Sequence, residues 1–402
     1  MKFFEKYMVY IYVGMWMVYY LQHMLMLEGL AAQIVLAILM LIGFLAFVEV
    51  NVFYKTNQYL KWLNVILLVL TIYGIIPIIG GWTLIGNWQQ EMTRSHIYLQ
   101  NVYRSVLPIY AFYLFTLKRQ ITEKSLSYLF YGLFSYSILA YYQRYLISSE
   151  SLGQDEITNN MGYYFVPLIP MIHLLKIQDI MKYVFLVITI VFIILSMKRG
   201  AILIGAFVMM IFLYYQLKGL PIKKVLYSFF LSLVVFAAIM QFTANLYESS
   251  PYFKKRVEQT VKGNSNHRDE IYTSYFEYFI NKTTTIEFFI GNGANATIVL
   301  LGEYAHNDWL EFAICQGVLG IVMYLVYWAL FFMEWKKYRG PTNGCQTLGM
   351  IIVAYFMIAL YSMSIDNMPI AATLCIGYCF AVDIRIKQID VFKEVLTIKN
   401  TL

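Results

Sequence analysis

Apolar runs of about twenty residues recur along almost the whole chain, and this feature limits the possible fold more than any other. A helix rising about 1.5 Å per residue needs about twenty residues to cross the hydrocarbon of a bilayer. Twelve candidate spans can be read, near 8–27, 29–53, 59–80, 100–117, 125–147, 160–175, 181–197, 200–217, 224–245, 308–333, 346–364 and 369–386. In lipid every backbone N–H and C=O has to be bonded within the protein, so such runs fold as helices. The expectation is an all-α polytopic membrane protein, a single membrane domain over residues 1–402 with about twelve transmembrane helices. The sixth run contains Pro167 and Pro170 and is expected to be short and irregular. Only Lys198-Arg199-Gly200 separates the seventh and eighth runs, which puts that turn at a membrane surface.

Charge supports this reading. Charged residues make up 13% of the chain, about half the share of a soluble domain. The net charge of +7 could suggest nucleic acid, but the basic residues come in short pieces between apolar runs, as membrane topology requires. Most Lys and Arg fall in alternate connections, from Lys2 and Lys6 through Lys118, Arg119 and Lys124 to Arg385 and Lys387. Those connections are therefore assigned to the cytoplasm, with both termini. The run after Lys6 has no small-residue cleavage site and reads as a first membrane helix. Cys315, Cys375 and Cys379 lie in apolar runs and Cys345 in a short connection. None has metal-ligand spacing, so no metal or cofactor is expected.

One long polar stretch remains, residues 246–306, between the ninth and tenth spans and assigned to the outside. Its segments 251–262 and 269–281 have the pattern of amphipathic helices. Loops of this length in compact proteins carry function or fold by themselves. Three residues at the outer boundary could carry chemistry: Arg199 in the turn, Arg268 in the loop and His306 at the entrance to the tenth span. Arginine binds phosphate through a forked, charge-assisted contact, and histidine can accept a proton near neutral pH. Each also has a plain structural use. An arginine at a helix end anchors to lipid headgroups, and a histidine can sit passively at a helix start. Asn307 or Asp308 can cap the tenth span, Glu311 suits its first turn, and Gly317 and Gly320 allow close helix packing.

The ordered set of these pieces resembles the bacterial O-antigen ligase and polymerase family. His306-Asn307, nine residues, then Gly317-x-x-Gly320 is similar to the family's H-N-x9-G-x-x-G element. Met197-Lys198-Arg199-Gly200-Ala201 resembles its S-R-G-a turn, with Lys198 in the usual serine place. Asn266-His267-Arg268, followed by Tyr272 and Tyr275, looks like its loop arginine and aromatic helix. Phe289-Ile290-Gly291-Asn292-Gly293 resembles the glycine pair before the histidine. The resemblance implies a metal-independent, inverting membrane glycosyltransferase of the GT-C type, with its active site on the periplasmic side of the bacterial inner membrane. Its donor would be an undecaprenyl-diphosphate-linked oligosaccharide, membrane lipid would surround it, and a chain-length regulator could be a partner. By position, Arg199 and Arg268 would hold the diphosphate and His306 would act as general base. Arg94, Arg104, Arg144, Lys198, Asn307 and Tyr272 are further candidates for binding substrate. The basic run Lys254-Lys255-Arg256 could touch anionic lipid or polysaccharide but reads first as a solvated helix face, Asp269-Glu270 as orienting Arg268 or facing water, Asp366-Asn367 as a cavity lining, and His173 as a satisfied intramembrane histidine.

Polymerase is preferred to ligase because Ile321-Val322 stands where some ligases carry a threonine pair after G-x-x-G. A transporter or flippase would place charge near the bilayer midplane, whereas here the polar residues gather on one side.

Overall fold

The computed structural model describes residues 2–24, 29–80, 88–152, 158–218, 221–262, 267–338, 342–362 and 368–401. Among the described residues there is no strand, and helices follow one another throughout. The first ten are α1 (Lys2–Met24), α2 (Leu30–Phe53), α3 (Gln58–Gly80), α4 (Trp88–Leu117), α5 (Glu123–Leu152), α6 (Gly162–Phe165), α7 (Leu168–Leu174), α8 (Asp179–Leu195), α9 (Arg199–Leu217) and α10 (Ile222–Ser249). Then come α11 (Pro251–Val261), α12 (Arg268–Glu277), a π-helical turn (Tyr278–Lys282), α13 (Thr285–Ile290) and α14 (Ala296–Leu301). The last three helices are α15 (Asp308–Lys336), α16 (Thr342–Tyr361) and α17 (Ile370–Thr401). Among the described residues, six helices are long and apolar enough to cross a membrane: α2, the first nineteen residues of α3, α9, α10, α15 and most of α16. The chain is thus a helical, multi-pass membrane protein.

Helix α4 lies at the centre and packs against α2, α3 and α17. Its stretch from Ile109 to Tyr113 is buried on every side. Glycines allow the approach. A Cβ on Gly377 of α17 would lie 2.6 Å from the Ile109 carbonyl oxygen, and one on Gly43 of α2 would lie 2.8 Å from Leu107 Cβ. By contrast, α2 and α10 turn large apolar side chains outward, including Leu41, Phe44, Phe230 and Val234. In water this would be a liability; here it is the surface offered to lipid.

The sixth apolar run is two short helices, α6 and α7, parted at Val166-Pro167, as its prolines predict. His173 on α7 is satisfied: Gln216 donates to its Nδ1 (3.0 Å), and its Nε2 faces Gln346 Oε1 at 2.7 Å. All four cysteines are free thiols. The stretch between α10 and α15 is folded into short helices, two of which, α11 and α13, carry side-chain caps. Ser250 Oγ accepts from Phe253 N to start α11, and Thr284 and Glu287 form a reciprocal cap on α13.

Helix α15 is broken at Gly317, whose backbone (φ 67°, ψ −155°) is closed to residues with a side chain. A break frees carbonyl groups that a straight helix would use. Two of them, on Ile314 and Cys315, accept instead from Asn292 N (2.9 Å) and Gly293 N (3.0 Å), and Asn292 Nδ2 adds a third bond to Ile314 (3.1 Å). The fit is backbone against backbone. A Cβ on Gly317 would lie 2.6 Å from Gly291 N and from the Phe288 carbonyl oxygen. A Cβ on Gly291, itself at φ 77°, would lie 2.3 Å from the Cys315 carbonyl oxygen. Gly317 therefore serves the close packing its sequence pattern suggested, here of α15 on the Phe288–Phe289 backbone of α13, and in the same place it breaks α15. Gly320 makes room for the Phe312 carbonyl and the Gln316 side chain of its own bent helix. Replacing Gly317 by Ala is expected to cost on the order of 3 kcal/mol, from left-handed strain and backbone overlap together. The check is a fall in melting temperature of the detergent-solubilised protein. An unchanged melting curve would show that the break is not required.

Candidate functional site

Four elements meet at one end of the bundle: the α8–α9 turn, α12, the start of α15 and the end of α16. In the turn, Met197 is left-handed (φ 56°), Lys198 is extended, and Arg199 opens α9. The turn is held by α6. Asn159 N donates to the Ser196 carbonyl at 2.8 Å, and Gly162 and Gly200 are glycines because Ser196 Oγ and the Tyr163 hydroxyl occupy the place of their Cβ atoms. Arg268 opens α12 directly after left-handed His267 (φ 62°). His306, also left-handed (φ 51°), stands just before α15. Left-handed backbone at residues other than glycine costs roughly 1–3 kcal/mol and persists only where the surroundings impose it. Of the five such residues among those described, three stand at or beside the three residues singled out by sequence.

Arg268 is the centre of the group. Its Nη1 donates to the Tyr361 carbonyl at 2.7 Å, on the last residue of α16, and the Tyr163 hydroxyl is a further partner. One turn along α12, the Tyr272 hydroxyl reaches the carbonyls of His306 (3.2 Å) and Leu360 (3.4 Å). Arg268 is a charged neighbour of Arg199, Lys198 and His306 alike. Arg144 on α5 also acts on Lys198, and Arg256 on α11 acts on both Lys198 and Arg199. The half-buried His306 ring is held below the ordinary imidazole value of 6.5, first by burial, then by the positive charge of Arg268, with Glu303 opposing and Lys198 adding to it. Burial and the guanidinium groups of Arg256, Arg268 and Arg144 likewise lower Lys198. Two helix N-termini, those of α9 and α12, add partial positive charge beside Arg199 and Arg268.

Asn307 has a scaffolding position. Its Oδ1 caps α15 by accepting from Trp309 N (2.9 Å) and Leu310 N (3.3 Å), and its Nδ2 donates to the Leu360 carbonyl (3.2 Å). Asp308, the other capping candidate, accepts instead from the Tyr324 hydroxyl at 2.7 Å. Glu311 fastens the preceding loop, accepting from Ala305 N (2.6 Å) and Thr297 Oγ1 (2.8 Å). An open groove of about 520 Å³ runs beside Asn307, between Tyr272 and Phe276 of α12 and Trp309 of α15.

Residues 184–325 match the family model described as O-antigen ligase. Over these residues the chain is similar to the O-antigen ligase family. This match spans α9, α12, the break at Gly317 and all three residues first singled out, Arg199, Arg268 and His306. The family is one of surface-glycan assembly, with transferase chemistry. A search of curated proteins finds no match to the chain.

Not every sequence candidate joins the cation group. Arg104 lies among Tyr19, Tyr20 and Tyr164, with Tyr19 as a hydrogen-bond partner. The Arg94 side chain, Asn266 and the pair Asp366-Asn367 lie outside what is described. Glu270 pairs with His267 (3.1 Å) in an exposed position, and Asp269 is exposed too. Sequence reading missed Tyr163, gave Glu311 only a first-turn role, and did not separate Arg256 from the exposed lysines Lys254 and Lys255 of its basic run. Among the described residues, no three His, Cys, Asp or Glu side chains gather where a metal ion could be held.

A base flanked by fixed cations stays neutral into mildly acidic solution. Carbonethoxylation of His306 by diethyl pyrocarbonate, followed by mass spectrometry, is expected to show a pH midpoint below 6.5. In Arg268→Gln one of the charges that lowers it is gone, so the midpoint should move upward. A midpoint that does not move would separate the two side chains.

Proposed function

We propose that the protein polymerises a surface polysaccharide, O-antigen or capsule. It would move the growing glycan from its undecaprenyl diphosphate onto a lipid-linked repeat unit at the periplasmic face of the inner membrane. The observation that carries this reading is a half-buried histidine, held below the ordinary imidazole value, beside a group of cations at one end of a helical bundle. The bond from the anomeric carbon to the phosphate oxygen breaks, and its electron pair stays on the leaving diphosphate. The acceptor hydroxyl oxygen attacks the opposite face of that carbon, which inverts it, and gives its proton to the His306 ring.

Charge grows on the diphosphate as the bond breaks, and Arg199 and Arg268 are held in position to offset it without reorganisation. The low basicity of His306 suits a base that has to be unprotonated near neutral pH, and its proton affinity rises when the dianionic donor binds next to it. The groove beside Asn307 offers aromatic faces from Tyr272, Phe276 and Trp309 to the acceptor sugar. Lys198 and Arg144 add to the field at the diphosphate, and Asn307 and Tyr272 keep His306 in register with α16. An O-antigen ligase, with lipid A-core as acceptor, would use the same donor chemistry and is the second reading.

His306→Ala and Arg268→Ala are expected to leave membrane levels of the protein intact and to lower chain extension at least about 100-fold. The measure is the polysaccharide ladder on a gel from a complemented deletion strain. A normal ladder from His306→Ala would remove the base from the mechanism. The clean deletion separates the two acceptors: core with one repeat unit for a polymerase, free lipid-linked polymer with bare core for a ligase.

A further inference from the structure

Helix α11 carries three adjacent basic residues, and they are not equivalent. Lys254 and Lys255 are exposed, while Arg256 is half-buried. The Arg256 Nε is buried and has no hydrogen-bond partner among the described residues. Buried N–H groups are normally bonded, and one on a cation is costly to leave open. Its guanidinium lies over the Tyr252 ring, with Cζ 6.0 Å from the centroid.

The helix face also matters. Arg199 Nη1 donates to Thr260 Oγ1 at 3.4 Å, and the Thr260 hydroxyl donates to the Arg256 carbonyl at 2.8 Å. Residues 256 and 260 are one turn apart and share a face. Arg199 therefore lies against the same face of α11 that presents Arg256. Arg256 is also the first charged neighbour of both Lys198 and Arg199. Like charges drawn together at a half-buried site cost free energy, which an anion placed among them recovers.

We propose that Arg256 is a third arginine of the donor site, binding the lipid diphosphate together with Arg199 and Arg268. The proposal rests on the glycosyltransferase reading above. Arg199 reaches the phosphates from the start of α9, a helix long and apolar enough to cross the membrane, and Arg268 from the start of the short α12. Arg256 reaches them from α11, a short helix outside the membrane core, so the diphosphate is held from two sides. A forked guanidinium suits a diphosphate's several oxygens, and an ammonium does not replace it fully.

The test is equilibrium binding of undecaprenyl diphosphate, undecaprenyl monophosphate and uncharged undecaprenol to the full-length protein in nanodiscs. The wild type should prefer the diphosphate to the polyprenol. Arg256→Ala should raise the diphosphate Kd about tenfold or more, the loss of one charge-assisted contact, and leave the polyprenol Kd unchanged. Arg256→Lys should fall between the two, and Lys254→Ala on the exposed side of α11 should behave as wild type. A merely structural role for Arg256 would weaken all three lipids alike, and that result overturns the proposal. So does diphosphate binding within twofold of wild type in Arg256→Ala. If Arg256→Ala does not stay monodisperse, Arg256→Lys decides, and an unchanged diphosphate Kd there is fatal to the idea. A wild type that binds diphosphate no better than polyprenol would instead sink the glycosyltransferase reading itself.

Discussion

Inside a bilayer an open backbone carbonyl has no water to turn to. The break at Gly317 opens two, on Ile314 and Cys315, and the Gly291–Gly293 segment closes them. The first half of α15 is thereby tied to the folded stretch between α10 and α15. Glu311 makes a second tie to that stretch through Ala305 and Thr297. His306 stands between these two attachments. Its position is thus set by backbone hydrogen bonds and glycine contacts more than by its own side chain, which leaves the ring available for chemistry.

The same economy holds for the cations. Arg199 and Arg268 are the first residues of their helices, close behind left-handed residues that aim the chain. Their helix N-termini add partial positive charge to that of the two guanidinium groups. A site assembled in this manner spends folding free energy to hold like charges together before any substrate arrives. That is the arrangement expected of preorganised electrostatic stabilisation, in which the protein and not the solvent carries the reorganisation.

Much of this could be read from the sequence because lipid leaves few alternatives. The long apolar runs sit where helices α1 to α10 and α15 to α17 form, and Pro167 marks the break between α6 and α7. The order of Arg199, Arg268, His306 and the paired glycines was enough to name a family. What could not be read depends on which backbone group faces which. G-x-x-G has the same spelling whether it packs two straight helices or, as at Gly317, also breaks one of them where it meets α13 and the turn after it. Either Asn307 or Asp308 could have capped α15, and only the contact of Asp308 with Tyr324 assigns them. Periodicity grouped Arg256 with its lysine neighbours, because a hydropathy pattern reports how polar a face is and not that another charged element lies against it. Tyr163 gave no signal at all, being one tyrosine among 36.

The contact between Arg268 and the Tyr361 carbonyl has a consequence of its own. The last carbonyls of a helix have no partner within it, and α16 borrows a guanidinium, a tyrosine hydroxyl and an asparagine amide for Leu360 and Tyr361. An anion that draws the guanidinium away leaves the end of α16 open by the same measure. Occupancy and order at that helix end become linked quantities, each biasing the other by equal free energy. On the proposed function, an empty and a loaded protein would then differ at that helix end, and a helix end reclaiming its arginine would assist departure of the spent carrier.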